Sequence, residues 1–124
     1  MAADPRLLQE LAAVLGPGLL SSAEACVAFE CDALTAHRRP PDLVALPTSV
    51  EQVQEILRIC RRHAVPVVAR GSGTGLSGGA LPIAGGLLLV LSRLNQVLQV
   101  DPRRGLARVQ PGVTNHAVSE AAAP

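Results

Sequence analysis

Apolar side chains recur along this chain in different rhythms, and the changes of rhythm mark its elements. Leu7, Leu8, Leu11, Val14 and Leu15 follow a helical period. Asp4-Pro5 before them suits an N-cap followed by proline in the first turn, and Gly16-Pro17-Gly18 ends the helix. Ser21-Ser22-Ala23-Glu24 has capping-box spacing, which predicts one or two turns. Phe29 to Pro41 carries no period and reads as a surface loop. Leu43 to Leu46 predicts a short buried strand closed by Pro47. Thr48 with Glu51, or Ser49 with Gln52, then caps a helix whose apolar face is Val53, Ile56, Leu57, Cys60 and Ala64. Arg61, Arg62 and His63 stand in its last turn, where cations complement the helix dipole. Val65 to Ala69 and Leu87 to Leu91 are unbroken apolar runs, as strands buried on both faces require. Past Asn95, Val97 to Val100 and Leu106 to Gln110 flank Asp101-Pro102-Arg103-Arg104-Gly105 and predict an antiparallel hairpin. Thr114 can cap a last helix from about Asn115 to Ala123.

This order predicts an α+β fold: a small parallel βαβ sub-sheet with a right-handed crossover, followed by the start of an antiparallel sub-sheet. Residues 1–40 form an N-terminal helix and lead-in loop, and 41–124 the first part of the main domain. An apolar hairpin needs further strands to cover its backbone groups. The domain therefore reads as incomplete, the N-terminal piece of a longer protein.

Composition changes this picture little. At 124 residues, 48% apolar and 17% charged, the chain is one domain's worth of globular sequence. Phe29 is its only aromatic residue, so aliphatic side chains must fill the core. A net charge of +1, with basic pairs only at Arg38-Arg39, Arg61-Arg62 and Arg103-Arg104, gives no footprint for nucleic acid. Asp4 and Glu10 stand where a secretory signal would need a basic and then an apolar stretch. The longest apolar run, Leu87 to Leu91, falls far short of the roughly 20 residues that span a bilayer. Cys26, Cys31 and Cys60 are odd in number and lack C-x-x-C spacing, which suits idle thiols in a reducing cytoplasm. His37, His63 and His116 are scattered, and no metal site is expected.

The candidate chemistry lies in Arg70-Gly71-Ser72-Gly73-Thr74-Gly75-Leu76-Ser77-Gly78-Gly79-Ala80. Glycine lets a ligand lie directly against the backbone, and consecutive N–H groups in such a run suit phosphate oxygens. The run follows a predicted strand, and open α/β sheets bind ligands at strand C-termini. A Walker loop would need a lysine that is absent here. A dinucleotide fingerprint is formally present as Gly73-Thr74-Gly75-Leu76-Ser77-Gly78, but it needs a helix to open at once. Pro82 and Gly85-Gly86 interrupt any such helix, and Leu91-Ser92-Arg93 stands where the fingerprint's acidic residue is due. Two readings remain: a tight connection in which glycine only relieves backbone strain, or a loop that wraps a pyrophosphate with backbone amides.

Pro47-Thr48-Ser49-Val50-Glu51, Val67 to Leu76, Gly85-Gly86 and Pro111-Gly112-Val113, in this order, resemble the FAD-binding domain of the vanillyl-alcohol oxidase or p-cresol methylhydroxylase (PCMH-type) superfamily. Within it they look most like the branch of FAD-linked glycolate oxidase subunits and D-lactate dehydrogenases. The resemblance runs from about Phe29 onward and implies a PCMH-type fold. It also implies cofactor contacts at Pro47, Arg70, Gly71, Ser72, Gly73, Thr74, Gly75, Leu76, Ser77, Gly78, Gly79, Pro111, Gly112 and Val113. Pro47 reads equally as a strand stop, and on spacing alone Pro111-Gly112-Val113 could be an ordinary turn. The family carries a tyrosine and an aspartate in the lead-in loop; Asp32 matches, and Phe29 stands in the tyrosine's place. Some members bond FAD to a histidine where this chain has Thr74, so FAD is expected to be held noncovalently.

The function implied is oxidation of a D-2-hydroxy acid such as glycolate or D-lactate, with hydride transfer to flavin N5. Iron–sulfur and second flavin subunits are the implied partners, in the cytoplasm or at the periphery of the inner membrane. No catalytic residue is expected in this segment, since neither a base paired with an arginine clamp nor a metal cluster is visible. An inert fragment or a non-catalytic flavin-binding or assembly subunit remains the alternative.

Overall fold

The computed structural model describes residues 4–123. The first helix, α1 (Pro5–Leu15), starts where Asp4 accepts a hydrogen bond from the Arg6 amide. A 3-10 turn over Gly16–Gly18 leads into β1 (Leu19–Leu20), a two-residue strand with no signature in the apolar pattern. It forms because Gly18 passes so close to the next strand that a Cβ there would lie 2.9 Å from the Leu46 carbonyl. The Leu46 amide donates to the Gly18 carbonyl at 2.8 Å. The short α2 (Ala23–Cys26) is capped by Ser22, one residue later than the capping-box spacing predicts.

The strands β2 (Leu43–Ala45), β3 (Val67–Arg70) and β4 (Leu87–Val90) are parallel, and β1 runs antiparallel to β2. The order is β1-β2-β4-β3, so the strand that arrives last in sequence is central. Leu87 pairs with Leu43 on one side and Val67 on the other. Successive side chains point to opposite faces of a sheet, and two clusters result. Leu43, Ala45, Leu87 and Leu89 pack beneath Leu7, Leu11 and Leu15 of α1 and Ile56, Ile59 and Cys60 of α3 (Val50–Arg62). Val44, Leu88 and Val90 face the other way, onto Cys26, Leu20 and Phe29. The core is aliphatic, as composition requires.

Two details depart from the sequence reading. The core face of α3 is Ile56, Ile59 and Cys60, while Leu57 is 44% exposed. β3 is an edge strand, only half buried, because β4 inserts between it and β2. The predicted hairpin is present as β5 (Val97–Asp101) and β6 (Leu106–Val109), a separate antiparallel sheet with a register shift between Val97 and Gln99. Against it lies α4 (Asn115–Ala122), capped by Thr114. No helix among the described residues is long and apolar enough to cross a membrane.

Candidate cofactor-binding site

The glycine-rich run leaves the C-terminal end of β3 without regular structure and returns to β4, with no helix in between. Its first part, Gly71 to Gly75, forms one wall of a cleft of about 780 Å³. Facing it are Ser92 and Asn95 from the turn after β4, and Pro111 to Asn115 between the hairpin and α4. Residues about forty positions apart thus share one space because Gly112 docks on the turn after β4. Its amide donates to the Leu94 carbonyl at 2.8 Å, and a Cβ there would overlap the Leu91, Ser92 and Leu94 carbonyls.

The glycines of the loop are not alike. Gly73 and Gly78 have φ of 78° and 74°, the left-handed region that favours glycine. Gly71, Gly75 and Gly79 lie outside that region, and a Cβ at any of them would meet no other atom of the chain within 4 Å. Neither strain nor internal packing requires glycine there. Bare backbone facing open space is what a group lying against the loop would use. No charged side chain lines the cleft, so an anion there would be met by amide dipoles and hydroxyls. This neutral cradle fits a pyrophosphate.

Other expected residues stand elsewhere. Leu76, Ser77, Gly78 and Gly79 continue the loop away from the cleft wall. Pro47 is fully buried and does not line the cleft. Arg70 turns its side chain away from it: Nη1 donates to the Cys31 carbonyl at 2.9 Å and more weakly to that of Phe29 at 3.4 Å. Its guanidinium lies 5.6 Å from the Phe29 ring centroid. The amides of Gly112 and Val113 are already committed, to the Leu94 and Gln110 carbonyls, so this segment offers a ligand its surface and not its donors. Sequence reasoning placed Ala80 in the candidate run without expecting a contact from it, missed Ser92, Asn95, Asn115 and Ala117 as cleft residues, and took Thr114 for a helix cap only. Thr114 does cap, since its Oγ1 accepts from the Ala117 amide, and the same turn carries it to the cleft.

A glycine loop at the C-terminal end of a parallel sheet, closed across a neutral cleft by a second segment, defines a nucleotide-cofactor-binding domain. A family model described as an FAD binding domain matches residues 41–124, and the chain belongs to that family. It is 54% identical over 110 residues to the glycolate oxidase subunit GlcD of Escherichia coli (strain K12), covering 87% of this chain and 22% of the relative. It is 40% identical over 106 residues to GlcD of Bacillus subtilis (strain 168), covering 85% and 23%. Among solved structures, a 4-ethylphenol oxidase from Gulosibacter chungangensis superposes with a TM-score of 0.82 at 30% identity, over 94% of this chain and 23% of that one. A p-cresol methylhydroxylase, at 24% identity and a TM-score of 0.75 over 94% and 24%, shares the fold. The fold is PCMH-type and the cofactor is FAD. The chain spans 22% of the length of the Escherichia coli relative.

Proposed function

We propose that this chain supplies the pyrophosphate cradle of an FAD-linked oxidoreductase acting on D-2-hydroxy acids such as glycolate or D-lactate. The observation that carries the cradle is the open space over Gly71 and Gly75 on the cleft wall, whose lack of a side chain serves nothing inside the chain. The hydroxy-acid class is supported by the relatives' names, glycolate oxidase subunit and D-lactate dehydrogenase. In this reading the loop from Arg70 to Gly79 forms the cradle, its Gly71 to Gly75 stretch meeting the phosphates through its backbone, and Pro111, Gly112 and Val113 pack against the cofactor from the other wall. Pro47 acts from the interior, as support for the start of α3. With Thr74 at the position where a histidine would be bonded, FAD is held noncovalently. Residues 41–124 form the cofactor-holding unit, and residues before 41 serve as a structural lead-in.

Bound FAD would supply the redox chemistry, taking the hydride from the substrate α-carbon at N5. The cleft residues bind and orient; none of them titrates near neutral pH, so the base for the substrate hydroxyl lies outside this cleft. Iron–sulfur and second flavin subunits are the partners proposed, in the cytoplasm or at the periphery of the inner membrane. That same lack of a titrating group favours, as a second reading, a flavin-holding subunit without chemistry of its own.

A chimera tests the cradle and its fit to a hydroxy-acid enzyme. This chain would replace the matching 110-residue segment of the Escherichia coli subunit. We expect the chimera to purify yellow and its flavin band to bleach when glycolate is added without oxygen. A folded but colourless chimera would overturn the cradle. A yellow one that no D-2-hydroxy acid bleaches would overturn the enzyme reading. The 124-residue chain alone should bind FAD weakly and fail to reduce a dye acceptor, because a partial pocket keeps most of the ordering cost with fewer contacts.

A further inference from the structure

We propose that Arg70 is a positioning residue whose guanidinium braces the glycine loop from behind, against the lead-in segment between Phe29 and Ala33. The proposal deepens the cradle reading and rests on it for its effect on FAD. As the last residue of β3, Arg70 directly precedes the cleft-lining residues, where a cation would be expected to reach for phosphate. It does the opposite. Its Nη1 donates to the Cys31 carbonyl at 2.9 Å and more weakly to that of Phe29 at 3.4 Å, and its Cζ lies over the Phe29 ring, 5.6 Å from the centroid. The guanidinium also lies directly against Gly73, where a Cβ would overlap Nη2, with Cζ at 2.5 Å and Nε at 2.9 Å.

The loop is therefore tied to the lead-in at residues 70 and 75 and held against the guanidinium at a third point between them. Residue 70 is held through the two carbonyls and the ring, residue 73 by contact with the guanidinium, and residue 75 by the Ala33 amide donating to the Gly75 carbonyl at 3.2 Å. The lead-in is also bonded within itself, the Arg39 amide donating to the Glu30 carbonyl at 2.7 Å. Asp32, the one charged side chain buried among the described residues, accepts the Leu34 amide at 2.9 Å. Gly73 thus meets two demands, a left-handed backbone and room for a flat cation.

A loop rich in glycine is mobile unless tied down, and a mobile loop loses affinity to ordering on binding. The brace removes that cost beforehand. It needs arginine, because a guanidinium can stack and donate from one rigid plane, whereas an ammonium is a point charge on a flexible stem. The lead-in loop, in this reading, is part of the cofactor site although none of it lines the cleft.

The test uses the 124-residue chain and does not depend on cofactor. Backbone order parameters from nitrogen-15 relaxation would be measured for Arg70→Gln, Arg70→Lys, Phe29→Leu and Phe29→Tyr. Wild type should show the Gly71 to Gly75 amides near the rigid value of about 0.85. Arg70→Gln, Arg70→Lys and Phe29→Leu should drop them below about 0.6 while Leu87 to Val90 stay rigid. Phe29→Tyr, which keeps the ring, should match wild type. Flavin titration of the same variants in the chimera should rank them in the same order, with roughly tenfold weaker FAD binding for the loosened loops, equivalent to about 1.4 kcal/mol. Loosening of the loop in the chain, with no FAD bound by the chimera in any of these forms, would support the brace and overturn the cradle. A loop as rigid in Arg70→Gln and Phe29→Leu as in wild type would overturn the brace, as would loosening spread equally to Leu87 to Val90.

Discussion

Gly75 and Gly112 are both glycine in a cofactor site, for opposite reasons, and substitution separates them. A side chain at Gly75 meets no other atom of the chain, so Gly75→Asp should leave the fold within about 0.5 kcal/mol of wild type. Its carboxylate would stand beside the proposed phosphates, and FAD binding should be lost. A flavin titration of the chimera beside a denaturant melt of the chain checks both halves. At Gly112 a Cβ would overlap three backbone carbonyls that cannot rotate away. Gly112→Ala should cost about 1–3 kcal/mol in the same melt, as overpacking does, and pull the two walls of the cleft apart. Sequence alone suggested that both segments matter; the distinction depends on what lies across from each glycine. The cysteines divide in a similar way. Burial raises the pKa of Cys26, with the charge of Asp42 adding to it, and burial raises that of Cys60. Cys31 is only partly buried. A thiol reagent should therefore label Cys31 first and reach the other two only on unfolding, which mass spectrometry of the labelled chain would show.

The helix α3 shows how far cap chemistry can be read from neighbouring letters. Ser49 is the N-cap and accepts the Gln52 amide at 3.2 Å. The partner Gln52 reaches back one residue further than a capping box does, with Oε1 accepting from the Thr48 amide and hydroxyl at 2.8 and 3.2 Å. Its Nε2 donates to the Val14 carbonyl at 3.1 Å, which ties α3 to the end of α1. Ser49→Ala should cost about 1 kcal/mol. Thr48→Ala should cost less, since its hydroxyl only shares an acceptor already used. Denaturant midpoints would order them, and equal losses would mean that Thr48 shares the capping. At the other end, the Val65 amide donates to the Cys60 carbonyl and the Ala64 amide to that of Arg61. This is a Schellman closure with an alanine at φ 52° in the place glycine usually takes. Ala64→Gly should stabilise the chain by up to about 1 kcal/mol, because the left-handed conformation costs an L-residue more than glycine. The same melt reads it.

Across the whole chain, α1 is held to α3 by charge as well as by the leucine face. Arg62 and His63 both reach Glu10. The hydrogen bond from Arg62, and then that from His63, hold the Glu10 carboxyl below its ordinary value of 4.5. A carboxylate with a depressed folded pKa contributes stability that is complete above that ordinary value and is lost as pH falls through the lower folded one. Stability should therefore decline in acid below about pH 4.5 more steeply in wild type than in Glu10→Gln. Melts taken at falling pH compare them, and parallel curves would mean that solvent screens the pair fully.

The sequence by itself determined every α-helix and strand but the first strand, the aliphatic core, the glycine loop at the end of a strand, and the change from parallel to antiparallel pairing. Each of these rests on the spacing of side chains within one segment, or on a cap and its partner a few residues away. Tertiary structure alone placed β4 between β2 and β3, turned Ile59 and not Leu57 inward, made a strand of Leu19–Leu20, and brought Ser92, Asn95 and Thr114 to face the glycines. It also turned Arg70 onto Phe29 and away from the cleft. Those outcomes depend on which surfaces meet across tens of residues. A pattern within one segment fixes which side chains share a face, whereas the packing of the other segments fixes what that face meets.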